Sequence, residues 1–237
     1  MSAVIIGASG GIGRALTLAL SHNSKFGTIH AFSRREVRDW PAGVVPGHID
    51  ILDEATIKAA ANQVAKAGHP ELVIVASGLL SEGDTQPEKS WRHQGLDSYR
   101  RVFDINTFGP ALIAKHFLSI MPNDRRAVFA AVSARVGSIS DNRLGGWHAY
   151  RASKAALNML IRNFAIEWRR KNDQSICVGL HPGTVDTDLS KPFQANVPGK
   201  QLFSAEQSAG YLLGVVDRLT PEDTGKVFDW AGKEVPA

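Results

Sequence analysis

The sequence predicts an α/β protein: a doubly wound, mostly parallel, seven-stranded sheet with helices on both faces. The prediction rests on two patterns and one length. Short apolar runs typical of buried strands alternate with longer segments of helical periodicity along the chain. A glycine-rich loop follows the first apolar run and leads directly into a helical pattern. The 237 residues are enough for one large core, so we expect a single domain of the Rossmann type over residues 1–237.

The first predicted strand and helix are joined by the glycine-rich loop. Residues 1–6 are largely apolar, Gly7 to Gly13 read Gly-Ala-Ser-Gly-Gly-Ile-Gly, and a leucine-rich helical pattern follows. Glycines let the backbone turn tightly and approach a pyrophosphate, while the helix N-terminus offers unpaired N–H groups. We therefore predict that the loop binds a dinucleotide rather than serving only as a turn. The residues predicted to bind it are Gly7, Ser9, Gly10, Gly11, Ile12 and Gly13.

The second predicted strand, residues 28–32, ends at Ser33 and Arg34. An acidic residue at this distance from the glycine loop would bind the ribose 2′-hydroxyl of NAD. The chain has no acid there. A carboxylate would repel a 2′-phosphate, whereas a guanidinium can pair with it through two hydrogen bonds. We predict that Ser33 and Arg34 bind the cofactor, and that NADP(H) is preferred over NAD(H), with a solvated arginine pair as the alternative reading.

The remaining elements continue the alternation of strands and helices. In order, they are a strand at 44–49, a helix at 53–67, a strand at 72–76, a polar loop at 81–95, a long helical region at 96–121, a strand at 126–132, a strand at 175–181, a loop at 188–203 that suits a lid, a helix at 204–218 with a capping-like start, and a last strand at 225–230.

A helix beginning near Tyr150 carries the candidate catalytic pair. Tyr150 and Lys154 are four residues apart, so they project side by side from one helix face, about 6 Å from each other. A nearby ammonium favours phenolate and should lower the tyrosine pKa from its usual value near 10, helped by an oxidised nicotinamide. The pair predicts a general acid/base. Alone, this spacing more often marks a solvated lysine beside an ordinary tyrosine, and the glycine loop is what gives it weight.

Gly7, Gly11 and Gly13 form the pattern G-x-x-x-G-x-G, and together with Tyr150 and Lys154 it resembles the short-chain dehydrogenase/reductase family over essentially the whole chain. The carboxyl third looks most like the C-factor-like subgroup. The resemblance implies further cofactor contacts at the adenine, along the fourth strand and at the nicotinamide carboxamide. The residues implied are Asp50, Ile51, Ala76, Ser77, Gly78, Pro182, Gly183, Thr184 and Thr187, with Tyr150 and Lys154.

The resemblance also implies two further catalytic residues. Asn106 matches the family's Asn-x-x-Gly, where the asparagine kinks a helix and holds a water linked to the lysine. The family usually places two serines at the end of the fifth strand, and the second donates to the substrate oxygen. Aligned on Gly137, that second position is Ala134. We predict that Ser133 takes the role; Ser138, or no hydroxyl at all, is the alternative.

The function implied by the resemblance is hydride transfer between a nicotinamide and a carbonyl or alcohol substrate, with the Tyr150–Lys154 pair as acid/base. Ala134 keeps an NAD(P)-binding sensor or signalling protein with little catalysis as the alternative. An NADP-dependent epimerase or dehydratase of the same fold is a third alternative. Such enzymes tend to have a larger carboxyl-terminal substrate region than this sequence offers, so we favour the first two. A partly apolar substrate is expected from the residues predicted to line its pocket, which are Leu79, Leu80, Trp147, Phe193 and Phe203.

The composition and the spacing of residues argue against several other classes of protein. No apolar run reaches about 18 residues, so no membrane span is expected. The start lacks the pattern of a signal peptide, and the single Cys177 fits a reducing cytoplasm. The eight histidines are scattered, so we expect no metal site. The net charge is +4 and the arginine doublets are dispersed, so we expect no nucleic-acid partner. The family's usual helix pairing implies a homodimer or homotetramer.

Overall fold

A parallel sheet runs through the computed structural model, which describes residues 1–196 and 202–237. The strands are β1 (Ser2–Ile6), β2 (Thr28–Ser33), β3 (Val44–His48), β4 (Leu72–Val75), β5 (Ala127–Val132), β6 (Ser175–His181), β7 (Thr184–Val185), β8 (Leu202–Phe203) and β9 (Val227–Asp229). Seven of them form the main sheet in the order β3-β2-β1-β4-β5-β6-β9, and every pair in it is parallel. β7 and β8 pair with each other. The predicted seven-stranded Rossmann-type sheet is confirmed.

Helices cover both faces of the sheet. They are α1 (Gly11–Ser21), α2 (Glu54–Ala67), α3 (Leu96–Phe103), α4 (Gly109–Phe117), α5 (His148–Arg169) and α6 (Ala205–Arg218). Side chains of α2, α4 and α5 pack in one buried apolar cluster, and those of α1 and α6 pack in a second. No helix in the described part of the chain is long and apolar enough to cross a bilayer.

Strand β5 shows why the strands read as continuous apolar runs in the sequence. Its odd positions, including Ala127 and Phe129, belong to the cluster under α4 and α5. Its even positions, including Val128 and Ala130, belong to the cluster under α1 and α6. Since a parallel sheet covered by helices is buried on both faces, both sets of side chains must be apolar.

Most predicted element bounds agree with the structure to within one or two residues, but the long helical region at 96–121 is divided. A π-helical turn, Asp104–Phe108, separates α3 from α4. The loop at 81–95 holds a short 3-10 turn, Trp91–His93, and an isolated antiparallel bridge between Glu82 and Thr85. The predicted lid at 188–203 contains another, Lys191–Asn196, and its residues 197–201 lie outside the described residues.

The predicted start of the last helix is confirmed. Ser204 caps α6 by accepting a hydrogen bond from the backbone N–H of Gln207, and the Gln207 side chain accepts one from the backbone N–H of Ser204. This capping box fixes the point where the chain leaves β8 and enters α6.

Candidate active site

The glycine loop lies at the carboxyl end of β1, the edge at which parallel α/β sheets bind ligands. Gly7 has φ +89° and donates its N–H to the Phe32 carbonyl at 2.9 Å. A Cβ placed on Gly13 would lie 2.1 Å from the Gly7 carbonyl oxygen. No side chain fits in that space, so α1 approaches the loop as closely as it does only because residue 13 is glycine.

The N-terminus of α1 is open to an anion. Gly10 is its N-cap, no side chain caps it, and its first turn holds no acidic residue. Within the described residues, the N–H groups of Gly11, Ile12 and Gly13 have no hydrogen-bond acceptor. Unpaired N–H groups and the positive end of the helix dipole suit a pyrophosphate. Ser9 and Gly10, on the approach to the helix, are both at least partly exposed.

Two further segments line the same crevice. A Cβ on Gly11 would lie 2.6 Å from Cγ2 of Thr187, which places the segment after β6 against the glycine loop. A Cβ on Gly78 would lie 3.8 Å from Nζ of Lys154, which places the end of β4 against α5. The crevice therefore runs from the helix N-terminus to the candidate catalytic lysine.

The segment after β4 approaches the glycine loop from the other side. A Cβ on Gly7 would lie 2.9 Å from the backbone nitrogen of Ser77, and Ala76 donates its N–H to the Ile6 carbonyl. The Ser77 hydroxyl is buried and has no hydrogen-bond partner among the described residues. Since buried hydroxyls in native proteins are nearly always paired, this one suits a polar ligand. Together with the glycine cradle, it shows that the residues present fit a dinucleotide.

Tyr150 and Lys154 lie where the helical spacing predicted, on one face of α5. Nζ of Lys154 donates to the Val132 carbonyl at 2.9 Å and lies 5.9 Å from the centroid of the Tyr150 ring. Lys154 is 2% exposed, whereas Tyr150 keeps part of its surface accessible. The lysine is thus the inner member of the pair, and the tyrosine is the member that a substrate can reach.

Burial controls the ionisation of both groups. It raises the pKa of Tyr150 to about 12 and lowers the pKa of Lys154 to about 8. The tyrosine pKa is therefore not lowered in the chain by itself, because burial disfavours the phenolate; the effect of Lys154 together with an oxidised nicotinamide stays a prediction. Tyr150 therefore carries its proton at neutral pH, which is the form that a general acid needs.

Asn106 lies in the π-helical turn and is fully buried. Its side chain binds both backbone groups of Leu79 at 2.8 Å, accepting from the N–H and donating to the carbonyl. It also donates to the Ser153 hydroxyl at 3.2 Å. Asn106 thus braces the chain just after β4, next to Gly78 and Lys154. Its part in a proton relay stays a prediction.

Both hydroxyl groups at the end of β5 make a hydrogen bond, Ser133 as a donor and Ser138 as an acceptor. Ser133 is 2% exposed and donates to Oδ1 of Asn158 at 2.6 Å. The Ser138 hydroxyl accepts from the backbone N–H of Asp141 at 3.1 Å. Ala134, between them, contributes no hydrogen bond from its side chain. Ser133 can serve a substrate oxygen only if its hydroxyl turns away from Asn158.

The residues predicted to hold the adenosine half lie at the ends of β2 and β3. The Ser33 hydroxyl donates to the Arg35 carbonyl at 2.6 Å, so it shapes the turn. Arg34 is exposed and has no ion pair within the described residues. Oδ1 of Asp50 accepts from the backbone N–H of Leu52 at 3.0 Å, and Ile51 packs against Gly109 at the start of α4. Arg34 is the member of this group whose charge is free for a phosphate.

The segment after β6 is held by packing rather than by its own side chains. The Pro182 carbonyl accepts from the buried hydroxyl of Ser208 on α6 at 2.9 Å. Gly183 has φ +78°, and a Cβ there would lie 2.7 Å from the Phe203 ring. Thr184 begins β7, and the Thr187 hydroxyl has a long contact of 3.4 Å with the Val185 carbonyl. This leaves the Thr187 hydroxyl with capacity for a better partner.

Two of the five predicted pocket residues, Trp147 and Phe193, lie beside Tyr150. Trp147 is partly exposed, and its ring meets the Tyr150 ring edge-on at 6.2 Å and the Phe193 ring at 5.3 Å. Leu79 and Leu80 are buried. Phe203 is 8% exposed and packs with Tyr211 and Trp230, two aromatic residues that the sequence reading did not single out.

A separate cavity of about 250 Å³ lies at the opposite end of the sheet. Leu20, Phe26, Arg126 and Leu213 are among its lining residues. None of the predicted site residues lines it, so it does not belong to the crevice at Tyr150. Within the described residues, no group of three or more side chains is arranged to bind a metal.

The sequence is similar to a known family of proteins and to individual members of it. Residues 1–198 match the family model described as short chain dehydrogenase. The C-signal protein of Myxococcus xanthus is 39% identical over 136 residues, which is 57% of this chain and 76% of that protein. The 1-hydroxy-2-glutathionyl-2-methyl-3-butene dehydrogenase of Rhodococcus sp. (strain AD45) is 31% identical over 231 residues, 94% of this chain and 93% of that protein.

The fold agrees with a solved structure over its full length. The NADPH-bound carbonyl reductase from chicken fatty liver superposes with a TM-score of 0.84 at 26% identity, covering 100% of this chain and 94% of that one. The similarity thus extends beyond residue 198, into α6 and β9.

Proposed function

Because the chain belongs to the short-chain dehydrogenase family, with a C-factor-like relative among its matches, we propose that it is an NADP(H)-dependent carbonyl reductase or alcohol dehydrogenase. We take residues 1–237 as one catalytic domain. The observation that carries the proposal is the placement of Tyr150 and Lys154 on one face of α5, at the end of a crevice that begins at the glycine loop.

In this proposal Tyr150 gives its proton to the carbonyl oxygen of the substrate, or takes the proton in the reverse direction. Burial keeps the tyrosine protonated, which favours the role of acid in carbonyl reduction. Lys154 is held by the Val132 carbonyl and supplies positive charge behind the phenol. Ser133 would turn from Asn158 to bind the substrate oxygen, and Asn106 would brace the route by which the proton is replaced.

The cofactor proposed is NADPH, which supplies a hydride when bound. Its pyrophosphate would lie on the N–H groups of Gly11, Ile12 and Gly13, and Arg34 would pair with the 2′-phosphate. The guanidinium of Arg34, which is exposed and has no ion pair in the part of the chain that the structure describes, supports NADP(H) over NAD(H). The NADPH-bound state of the chicken carbonyl reductase supports the same choice.

The substrate proposed is a small, partly apolar carbonyl compound or the corresponding alcohol. The support for it is the pair of partly exposed rings, Trp147 and Phe193, beside Tyr150. A long polar substrate would leave its polar groups against these rings, which offer few hydrogen bonds.

A second function is favoured by Ala134 and by the similarity to C-signal: a cofactor-binding signalling protein with little catalysis. Two measurements on the intact chain separate the two. Fluorescence titration measures the affinity for NADPH and for NADH. The second measurement is the rate of NADPH oxidation in the presence of each member of a panel of aryl and alkyl carbonyl compounds. Tight NADPH binding with turnover on part of the panel supports the reductase. Tight binding without turnover on any carbonyl supports the signalling protein and overturns the reductase.

A further inference from the structure

Glu88 is a buried carboxylate that the proposed chemistry does not use. It belongs to the 81–95 loop, yet it is only 4% exposed. An ionisable side chain in such a place needs partners, because burying it without them would be costly. The hydrogen-bond partners of Glu88 show which elements this side chain holds together.

All three oxygens of Glu88 bind elements around the catalytic helix. Oε2 accepts from the backbone N–H of Ala149, the second residue of α5, at 3.2 Å. Oε1 accepts from the Ser98 hydroxyl on α3 at 3.1 Å. Its backbone carbonyl accepts from the N–H of Trp147 at 2.6 Å. A single residue of a distant loop therefore fixes the point where α5 begins, two residues before Tyr150.

The start of α5 needs this help because its own N-cap cannot supply it. The N-cap is Trp147, and no side chain of the usual capping type stands there. The Glu88 side chain acts as the cap instead, because it accepts a hydrogen bond from the first turn of α5. A carboxylate in this position also interacts favourably with the helix dipole. The first turn of α5 contains no acidic residue of its own.

Trp147 itself is held in a strained conformation. It has φ +50°, and it follows Gly145 at +63° and Gly146 at +64°, so three successive residues are left-handed. For a bulky residue this conformation is unfavourable, and it persists only where its surroundings enforce it. The Glu88 carbonyl enforces it through the 2.6 Å bond and also lies 3.4 Å from the position of a Cβ on Gly146.

The consequence reaches the substrate pocket, because the conformation of Trp147 decides where its indole stands. The indole meets the Tyr150 ring at 73° and the Phe193 ring at 63°. These edge-to-face contacts make a wall directly beside the phenol. An aromatic group on the substrate would gain an edge-to-face contact with such a wall in addition to the burial of its surface.

We propose that Glu88 is a positioning residue that caps α5 from the 81–95 loop and holds the Trp147 indole as a specificity wall, favouring carbonyl substrates with an aryl group next to the carbonyl. The inference rests on the proposed function, since it names the substrate class of the same site. It assigns Glu88 no contact with the substrate or the cofactor.

The test compares Glu88→Ala and Glu88→Gln with the wild type on acetophenone-type aryl ketones and on short alkyl ketones. Glutamine keeps an acceptor for Ala149, so we expect it to stay near the wild type. In Glu88→Ala, we expect KM for the aryl ketones to rise about tenfold, the equivalent of about 1.4 kcal/mol, while KM for the alkyl ketones and the affinity for NADPH change less than about twofold. Glu82→Gln is the control, because Glu82 is an exposed carboxylate of the same loop, paired with Arg101.

A double-variant cycle with Trp147→Gly separates positioning from a general loss of structure. Glycine adopts the left-handed conformation without strain and removes the ring. If Glu88 acts through the indole, adding Glu88→Ala to Trp147→Gly raises the KM for aryl ketones no further. A rise that is equal for aryl and alkyl ketones, or fully additive in the cycle, overturns the proposal.

The proposal stays testable even if the reductase function fails. Should the wild type bind NADPH without turning over any carbonyl, the proposed function is lost, and the tryptophan fluorescence still reports on Glu88. The signal of Trp147 is the difference between the wild type and Trp147→Gly. Glu88→Ala should change that signal and Glu88→Gln should not; an unchanged signal in Glu88→Ala overturns the positioning role.

Discussion

At the scale of single residues, burial decides which protonation states the site can use. Tyr150 and Lys154 are neighbours, yet their pKa values move in opposite directions from a single cause, since burial disfavours the charged form of each. The result is a protonated phenol beside an ammonium that is still charged at neutral pH. This is a state prepared to donate a proton rather than to accept one.

The lowered pKa of Lys154 predicts how stability depends on pH. Below pH 8 both the folded and the unfolded chain carry the ammonium, and the folded chain bears a burial cost of roughly 3 kcal/mol. Between pH 8 and about 10 the folded chain loses this proton while the unfolded chain keeps it, so the free energy of unfolding should rise with pH. Above pH 10 the raised pKa of Tyr150 acts in the opposite direction.

Urea denaturation at several pH values between 7 and 10 measures this effect, with Lys154→Met as the reference. We expect the wild type to gain stability relative to the variant across that range. If the free energy of unfolding changed with pH in the same way in both proteins, the lysine would not be desolvated in the folded state.

The hydroxyl groups at the end of β5 give a second prediction. The Ser133 hydroxyl already donates to Asn158, so the substrate oxygen has to compete for it. We therefore expect Ser133→Ala to lower kcat by about tenfold, which is less than the 10²–10³ lost with a donor that serves the substrate oxygen alone. Adding Ala134→Ser to that variant should restore the loss. Steady-state kinetics on the best carbonyl substrate measure both changes. If Ser133→Ala keeps full kcat, the serine does not bind the substrate oxygen.

At the scale of elements, the glycine turn between β1 and α1 has the tightest geometry of the site. In Gly13→Ala the new Cβ would meet the Gly7 carbonyl oxygen at 2.1 Å, so the start of α1 must move. We expect NADPH affinity to fall by more than about tenfold and stability to fall by about 1–3 kcal/mol.

The matched control for this variant is Gly210→Ala in α6, where an added Cβ meets nothing within 4 Å. It should stabilise the helix by about 0.5–1 kcal/mol and leave cofactor binding unchanged. Equal NADPH affinity in Gly13→Ala and the wild type, measured by fluorescence titration, would show that this turn does not bind the pyrophosphate.

The elements that sequence could predict are those fixed by local pattern. Strands such as β4 and β5 are unbroken apolar runs, and the placement of Lys154 relative to Tyr150 follows from helical spacing alone. The π-helical turn at Asn106 was not foreseeable from periodicity, because it adds one residue to a helix whose apolar pattern continues on both sides. The capping role of Glu88 gave no signal, since a glutamate in a polar loop is ordinary and its partner lies 61 residues away.

At the scale of the whole molecule, α5 and the π-helical turn before α4 bear exposed apolar side chains. Met159 is 62% exposed and Ile166 46%, seven residues apart on one face of α5, and Phe108, beside the start of α4, is 52% exposed. Large exposed apolar side chains are a feature of interaction surfaces. We propose that this face of α5 pairs across a two-fold axis in the expected homodimer or homotetramer.

Analytical ultracentrifugation tests the homodimer with a double variant, Met159→Lys with Ile166→Lys. We expect the wild type to sediment as a dimer or tetramer and the variant to shift to smaller species, because two buried lysines on each side would repel. The control is Ile139→Lys, an equally apolar residue that is 78% exposed outside these helices and should change nothing. A monomeric wild type would remove this surface from consideration.

The proposed reaction requires Tyr150 to pass a proton to a carbonyl beside a bound nicotinamide. Single-turnover oxidation of prebound NADPH by a carbonyl substrate tests it most directly, comparing the wild type with Tyr150→Phe and with Tyr211→Phe as a control. We expect Tyr150→Phe to bind NADPH normally and to lose at least about 10² in the rate, in the range of general acid catalysis, while the control keeps its rate. An undiminished rate in Tyr150→Phe would contradict the proposed reaction.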